Sequence, residues 1–377
     1  MLSAQRQDQI NYLNIGLMFI SMIAAFVMPF EVFLFAYAFL GPLHYLTEIS
    51  WLHDRKYFST GKYDFIVLLG VGCLLGYSDI AHTYEFHSSF TEMFFELNLG
   101  DKLILLAFIS SLLFVLVKNM FIKAVLIIIL FGFIDGWFAP NYTNAMGNEV
   151  FKPNYTTFAL TSLLPTLFHV YLFTGLFMLF GALKSRSKTG LLSVLCFVLV
   201  PFILIYVLPN TTFFQISEYG KESYFADGKG FYNLNFQILR EFNLADMPTV
   251  AGYTDMFDRP YVDPKKSLPV IFYSTPGILL MRFIAFAYLY HYLNWFSKTE
   301  VIRWHKVPKV RFIAVILIWI SACIVYLIDY GLGLTFLFFL SFTHVLLEFP
   351  LNMMSIVGIG KESIAIAKGG FSNKVRS

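Results

Sequence analysis

Two histidine–glutamate pairs interrupt long apolar stretches of this sequence. His44 and Glu48 lie in "GPLHYLTE", and His344 and Glu348 lie in "SFTHVLLEFP". A spacing of four residues places both side chains of a pair on one helical face, about 6 Å apart along the axis. Imidazole and carboxylate together suit iron, manganese or zinc, and carboxylates from two helices can bridge two metal ions. We therefore predict a metal site where these two helices meet.

Two single histidines are the next ligand candidates. His169 lies in "TLFHVYLF", one turn after Pro165, whose ring can kink a helix. His291 lies in "YLYHYLNW", at a depth in the predicted bundle similar to that of the two pairs. We expect His44, His344 and either His291 or His169 to bind the metal. Glu48 and Glu348 are then further ligands, or catalytic bases that orient the imidazoles.

Arg282, in "LLMRFIAFAY", is a charged residue near the centre of a predicted helix. A buried guanidinium needs a partner, and the available ones are Glu48, Glu348, Asp135 or an anionic substrate. Arg282 is nine residues from His291, so the two point to opposite sides of an ideal helix. We expect a catalytic role as counter-ion to a buried carboxylate; an ordinary buried ion pair is the alternative.

A second polar group occurs in "GYSDIAHTYEFH" at the end of another apolar stretch. Asp79 and His82 share a helical face by their spacing of three residues, and would join the same cavity if that helix were tilted. Glu85 and His87 are interpreted as solvated. His53 is either an interfacial residue or a ligand or proton-entry residue.

The composition predicts the elements that must position these residues. The 377-residue chain is 58% hydrophobic and 14% charged, with a mean hydropathy of +0.67, whereas soluble domains are about 25% charged. Stretches of about 18 or more apolar residues can cross a bilayer as helices. Ten are found, near 12–29, 32–52, 64–81, 102–117, 121–138, 156–182, 190–208, 270–296, 311–328 and 333–353.

Charge predicts the orientation of this all-α, polytopic bundle. With both termini cytoplasmic, eighteen of the 27 Lys and Arg residues fall in inner segments. This agrees with the general enrichment of Lys and Arg in cytoplasmic loops. The net charge of +3 then gives no reason to expect a nucleic-acid partner. We interpret 1–377 as one membrane domain with an extracytoplasmic loop at 209–268, in which Leu234, Phe236, Leu239, Phe242 and Leu244 predict a short amphipathic helix on the bilayer surface.

These features favour a membrane-bound, metal-dependent oxygenase or oxidoreductase. Ferrous iron held by histidine and carboxylate activates O₂ when coordination positions stay open; zinc and manganese are alternatives. The 44 Phe, 22 Tyr and 13 Met residues would line a site for a lipophilic substrate, such as a carotenoid or another lipid. We expect O₂ and membrane lipids as further partners, and a multi-pass protein of a bacterial inner membrane.

Three motifs carry a resemblance to a known family. "GPLH" followed by Glu48, "SDIAH" on the next predicted helix and the late "THVLLE" resemble the bacterial membrane carotene dioxygenases of the Brp/Blh type. That family reads approximately G-x-P-H-G-A-x-D-H near its start and P-H-M-x-x-x-E near its end. The resemblance implies an iron-dependent enzyme that cleaves β-carotene centrally. It also implies that His44 and His344 are iron ligands and that His169 stands for a further ligand from the interior of the sequence. Ile49 stands where the family has a further histidine.

A proton-coupled or metal-ion transporter is the alternative from another functional class. In such a protein Glu48, Glu348, Arg282 and the histidines would form a relay. Transporters of this kind usually contain inverted repeats and broken helices at mid-membrane. The sequence contains no evident repeat, although Gly70, Gly72 and Gly76 would permit a bend.

Overall fold

Ten long apolar helices form the bundle of this multi-pass membrane protein. The structure is a computed structural model and describes residues 3–86, 88–226 and 230–371. Spans 1 to 10 are Gln5–Val27, Pro29–Asp54, Asp64–Thr83, Leu99–Leu116, Met120–Trp137, Tyr155–Ser185, Lys188–Val207, Thr275–Ser297, Lys309–Ile328 and Tyr330–Gly369. The predicted fold class and all ten predicted helices are thereby confirmed. An even number of spans places the start of span 1 and the end of span 10 on the same side.

Span 10 is longer than the sequence predicted. Its helix continues to Gly369 instead of ending near residue 353. Apolar residues alone define a hydropathy segment, whereas the helix continues through polar residues beyond it. Glu362 in this extension accepts a 2.8 Å hydrogen bond from Arg186 Nη1, just after span 6. The extension is therefore fixed to the neighbouring helix end.

Three spans contain π-helical segments, and each segment lies beside a proline. Proline has no N–H and frees a carbonyl one turn earlier. For Pro42 and Pro165 that carbonyl lies within the wider π turn, which accommodates the defect. The Phe197 carbonyl that Pro201 frees accepts a 3.3 Å hydrogen bond from the Tyr171 hydroxyl. The segments are Ala36–Leu40 before Pro42, Ala159–Phe173 around Pro165, and Ile203–Val207 after Pro201. His169 lies in the second segment, so its direction does not follow the α-helical period.

The backbone carbonyls exposed near Pro42 find partners on span 9. Trp319 Nε1 donates a 2.8 Å hydrogen bond to the Phe39 carbonyl. The Cys323 thiol donates at 3.8 Å to the carbonyl of Ala38, which Pro42 cannot reach. Satisfying these carbonyls matters because lipid offers no hydrogen bonds. Span 9 thus stabilises the irregular helix that carries His44.

Spans 2, 6, 8 and 10 form the centre of the bundle. In their most apolar stretches 56, 50, 67 and 56% of residues are buried, against 11 to 39% in the other six. Span 10 packs against spans 2, 3, 4 and 6, and span 8 packs against spans 1 and 2. The four central spans are also those that carry the predicted ligands.

Glycines allow spans 3 and 10 to approach closely. A Cβ atom on Gly72 would lie 2.7 Å from Thr343 Oγ1, and one on Gly76 would lie 2.8 Å from the Phe339 ring. The pairing shows that the spans are antiparallel, because the residue number rises in one helix as it falls in the other. The contact fixes Thr343, and therefore its neighbour His344, against span 3.

Residues 209–226 and 230–268 fold over one end of the bundle, called the outer end below. This outer cap contains helices Glu218–Phe225 and Tyr232–Glu241 and the antiparallel strands β3 (Thr249–Thr254) and β4 (Pro260–Val262). Helix Pro264–Tyr273 leads into span 8. The remaining short elements are helices Lys56–Phe58, Ser89–Glu96 and Thr299–Ile302 and the strand pair β1 (Tyr142–Thr143) and β2 (Glu149–Val150).

The predicted amphipathic helix exists, but its buried face differs from the predicted one. It buries Tyr232, Asn235, Ile238 and Leu239. Phe242 is exposed, as is Leu244 further on. The helix packs against span 8 and against helix Pro264–Tyr273, which precedes span 8. Its buried side chains are therefore covered by the bundle and not by the bilayer surface.

Candidate metal centre

The four central spans bring four imidazoles to one point. His44, His169, His291 and His344 come from spans 2, 6, 8 and 10, and all are at least nine-tenths buried. The Nε2 atoms of His44 and His291 lie 2.9 Å apart, and those of His169 and His344 lie 3.1 Å apart. The His44 and His344 ring centres are 5.4 Å apart. The two pairs recognised in the sequence therefore meet, and both single histidines join them.

Both glutamates lie beside these imidazoles. Glu48 Oε2 is 3.0 Å from His44 Nε2, and Glu348 Oε2 is 3.3 Å from His169 Nδ1. The two carboxyl groups are also close enough to interact with each other. Glu348 thus contacts the histidine of span 6, not His344 of its own span.

Neighbouring side chains orient two of the rings. Thr174 Oγ1 lies 2.7 Å from His291 Nδ1, which directs His291 Nε2 towards the other histidines. Tyr45 stacks on the His344 ring at a centroid distance of 4.3 Å. Histidines that bind metals commonly use their other nitrogen in this way, because the hydrogen bond fixes tautomer and orientation.

The distances match those between ligands of one metal ion. Atoms that each bond a metal at about 2.1 Å, at right angles, lie about 3 Å apart. Two groups of potential ligand atoms fall within 4.8 Å: His44, His169 and His291, and His44, Glu48 and His344. His44 belongs to both groups, so the two groups adjoin each other at this residue.

The buried carboxyl groups of Glu48 and Glu348 also favour a bound cation. The Glu48 and Glu348 side chains are 3% and 1% exposed, and the imidazoles of His44 and His169 lie 3.0 and 3.3 Å from their Oε2 atoms. Both Glu348 oxygens and Glu48 Oε2 have no hydrogen-bond partner among the described residues. Two adjacent carboxylates in a low-dielectric interior require a bound proton or a metal ion. The donor set fits a divalent metal.

A cavity of about 330 Å³ reaches the centre from the outer end. His169 and His344 form part of its inner wall, and Tyr45, Tyr288 and Tyr292 line it further out. Tyr45 and Tyr292 are joined by a 2.9 Å hydrogen bond between their hydroxyl groups. A ligand in this cavity would contact the imidazoles.

Arg282 is not part of this centre, and the predicted carboxylate partner is wrong. Its Nη1 and Nη2 atoms donate hydrogen bonds of 3.0 and 2.8 Å to the carbonyls of Pro209 and Thr211 in the outer cap, and Phe26 lies 4.3 Å from its guanidinium. The nine residues to His291 correspond to about 13 Å along the helix. Buried donors need acceptors, and here backbone carbonyls supply them.

The other predicted polar residues separate into two groups. Asp79 and His82 line the outer part of the cavity. His53 is exposed and lies 3.4 Å from Asp54 at the inner edge of the bundle. Glu85 is exposed, and His87 lies outside the described residues.

Sequence reasoning missed Thr174 and the tyrosine pair. Thr174 is five residues from His169, a spacing that an α-helical pattern does not associate with ligand support. Tyr45 and Tyr292 each follow a ligand candidate directly in the chain. That adjacency was an available signal, although it does not reveal that the two hydroxyl groups meet.

Comparisons with known proteins found no matching family model, no matching curated protein and no matching solved structure.

Proposed function

We propose that this protein is an integral-membrane, iron-dependent oxygenase that acts on a lipophilic substrate. The observation that carries the proposal is the convergence of four buried imidazoles from four different spans, with Glu48 among the candidate ligands and Glu348 beside His169. His44, His169, His291 and His344 would hold the ion through Nε2. Glu48 would be a further ligand or a base, and Glu348 would orient His169.

The donor set and the cavity support oxygen chemistry. Neutral imidazoles with a carboxylate suit iron, which activates O₂ when bound with open positions. The cavity that reaches His169 and His344 has an aromatic wall, typical of sites for apolar ligands. In this proposal the tyrosines position the substrate, and the surrounding bundle excludes water. The excess of inner positive charge supports a bacterial inner membrane.

Elemental mass spectrometry of detergent-purified protein tests the proposal. Wild type should contain about one iron per chain, and both His44→Ala and His344→Ala should lose it. His305→Ala is the matched control, because His305 is exposed in a loop, and it should retain the metal. Each variant must elute as a monodisperse species, so that unfolding is not mistaken for loss of a ligand.

The same preparations separate the proposal from its alternative. Folded protein without metal in any variant contradicts an iron enzyme. Ion flux into proteoliposomes that is abolished by Glu48→Gln would instead support a transporter. Iron present without flux, together with O₂ consumption on addition of a lipid, supports the oxygenase.

A further inference from the structure

The cavity has a second end, distant from the histidines. Its outer part is lined by Asp79, His82 and Thr335. Gly72 lies opposite Thr343, and Asp79 is seven residues further towards the outer end of span 3. Seven residues of helix correspond to about 10 Å. The cavity therefore separates a polar end from the histidines by about two helical turns.

Asp79 has the properties of a recognition residue. It is half-buried in the cavity wall, and among the described side chains none donates a hydrogen bond to its carboxylate. The neighbouring titratable groups are His82, which is exposed, and Tyr37 of the same cavity wall. The hydroxyl of Thr335 donates to the Gly331 carbonyl at 3.0 Å, so its hydrogen is already used. The outer end thus offers acceptors to a ligand.

The wall between the two ends is aromatic. Tyr37, Tyr288, Phe338 and Phe342 line it, with Phe231 of the outer cap on the same cavity. The Tyr37 hydroxyl is engaged with Ser341 at 3.1 Å, which leaves mainly ring surface towards the space. Such a wall favours an apolar or unsaturated chain.

We infer that the cavity binds an amphiphile whose head group donates a hydrogen bond to Asp79 while its apolar chain extends to His169 and His344. The head group is a hydroxyl or an ammonium, since both donate to a carboxylate. Binding stands on the cavity alone. The further consequence, that the reacting carbon lies about 10 Å from the head group, rests on the proposed oxygenase function and on the helical rise between the two ends.

Photolabelling of the full-length protein in lipid nanodiscs tests the binding. Three probes of equal chain length with a mid-chain diazirine are compared: a primary alcohol, a primary amine and a methyl ether, which cannot donate. Mass spectrometry maps the label. We expect the alcohol or the amine to label the segment around Phe338 and Phe342 about tenfold more than the ether, the loss typical of a missing charge-assisted hydrogen bond.

Substitutions identify the acceptor and the head group. Asp79→Leu should reduce labelling to the level of the ether. Asp79→Asn keeps an acceptor oxygen but removes the charge, so labelling by an ammonium falls whereas labelling by a hydroxyl persists. Glu85→Gln, at an exposed carboxylate beyond the same span, is the control and should label as wild type does.

Equal labelling by alcohol, amine and ether in wild type overturns the inference, as does undiminished labelling in a folded Asp79→Leu protein. The metal content of wild-type protein separates the two proposals. If wild type contains no metal yet labels with the expected head-group preference, the oxygenase proposal fails and the head-group site stands. If wild type holds stoichiometric iron but shows no head-group preference, the head-group site fails and the oxygenase proposal stands.

Discussion

At the scale of single residues, the hydrogen bonds behind the imidazoles are as informative as the imidazoles themselves. Thr174 meets Nδ1 of His291, and Glu348 approaches Nδ1 of His169. The Thr174 contact is a hydrogen bond at 2.7 Å, whereas Glu348 lies 3.3 Å from His169 Nδ1 without forming one. Histidines that only pack in the core would not need to turn their Nε2 atoms towards one another with no apolar side chain between them.

Thr174→Val should weaken metal binding without unfolding the protein. Valine has a similar shape but cannot hydrogen-bond His291, and losing such support typically costs about 10- to 100-fold in metal affinity. Competition with a chelator measures the affinity. Thr174→Ser retains the hydroxyl and should stay close to wild type. Equal metal affinity of the valine and serine variants would show that the Thr174 hydroxyl does not support the metal centre.

Arg282→Met should lower thermal stability and leave metal content unchanged. The substitution removes two charge-assisted hydrogen bonds to the outer cap, each worth about 1.5–3 kcal/mol. Thermal unfolding in detergent and elemental analysis give the two readouts. Loss of iron at unchanged stability would restore the catalytic role that the sequence suggested for Arg282.

The residues themselves were largely predictable, and their partners were not. Spacing of four identified His44 with Glu48 and His344 with Glu348, because helix geometry is fixed locally. The sequence offered His169 or His291 as alternatives, whereas the structure places both in the cluster. Which side chain Arg282 or Glu348 meets depends on helix packing, and no periodicity contains that information.

At the scale of elements, hydropathy predicted the ten helices but not their interior geometry. A proline in the sequence indicates that one backbone carbonyl of the helix lacks its usual donor. Whether a π segment forms there depends on which hydrogen-bond donors the neighbouring spans supply to that carbonyl. Trp319 and Cys323 do this for span 2. The direction of His169 depends on such a segment, which explains why the sequence could suggest this residue as a ligand without determining where its ring points.

Gly72→Val should destabilise the contact between spans 3 and 10. The added side chain would meet Thr343, and overpacking of this kind costs about 1–3 kcal/mol. Since Thr343 precedes His344, the metal content of the proposed centre should fall as well. Gly70→Val is the control, because no atom lies within 4 Å of a Cβ built there. Thermal unfolding and metal analysis of both variants test this prediction. Equal stability and equal metal content of the Gly72→Val and Gly70→Val proteins would contradict tight packing at Gly72.

At the scale of the whole molecule, the outer cap has its own electrostatic anchor. Asp255 and Glu241 pair with Arg259 at 2.9 and 2.8 Å. Burial acts to raise the pKa of Asp255, but backbone N–H groups of Phe257 and Arg259 and the Arg259 guanidinium outweigh it, so the pKa is lowered. A carboxyl with a lowered folded-state pKa stabilises above its unfolded value and loses that contribution as pH falls.

The cap should therefore loosen in acid. We expect hydrogen exchange of β3 and β4, corrected for the intrinsic rate, to accelerate as pH falls from about 4 towards 2. Asp255→Asn should show fast exchange already near neutral pH. Asp246→Asn, at an exposed carboxylate, should behave like wild type. Protection that does not change with pH would exclude Asp255 as the anchor.

The four histidines are spread over almost the entire chain, from span 2 to span 10. During synthesis His44 is therefore inserted into the membrane long before His344. A nascent chain that lacks span 10 contains neither His344 nor Glu348, so the full cluster of histidines and glutamates forms only when this helix is inserted. In the proposed metal centre, loading would therefore follow the insertion of span 10, and a chain interrupted before span 10 would insert nine helices without completing the cluster.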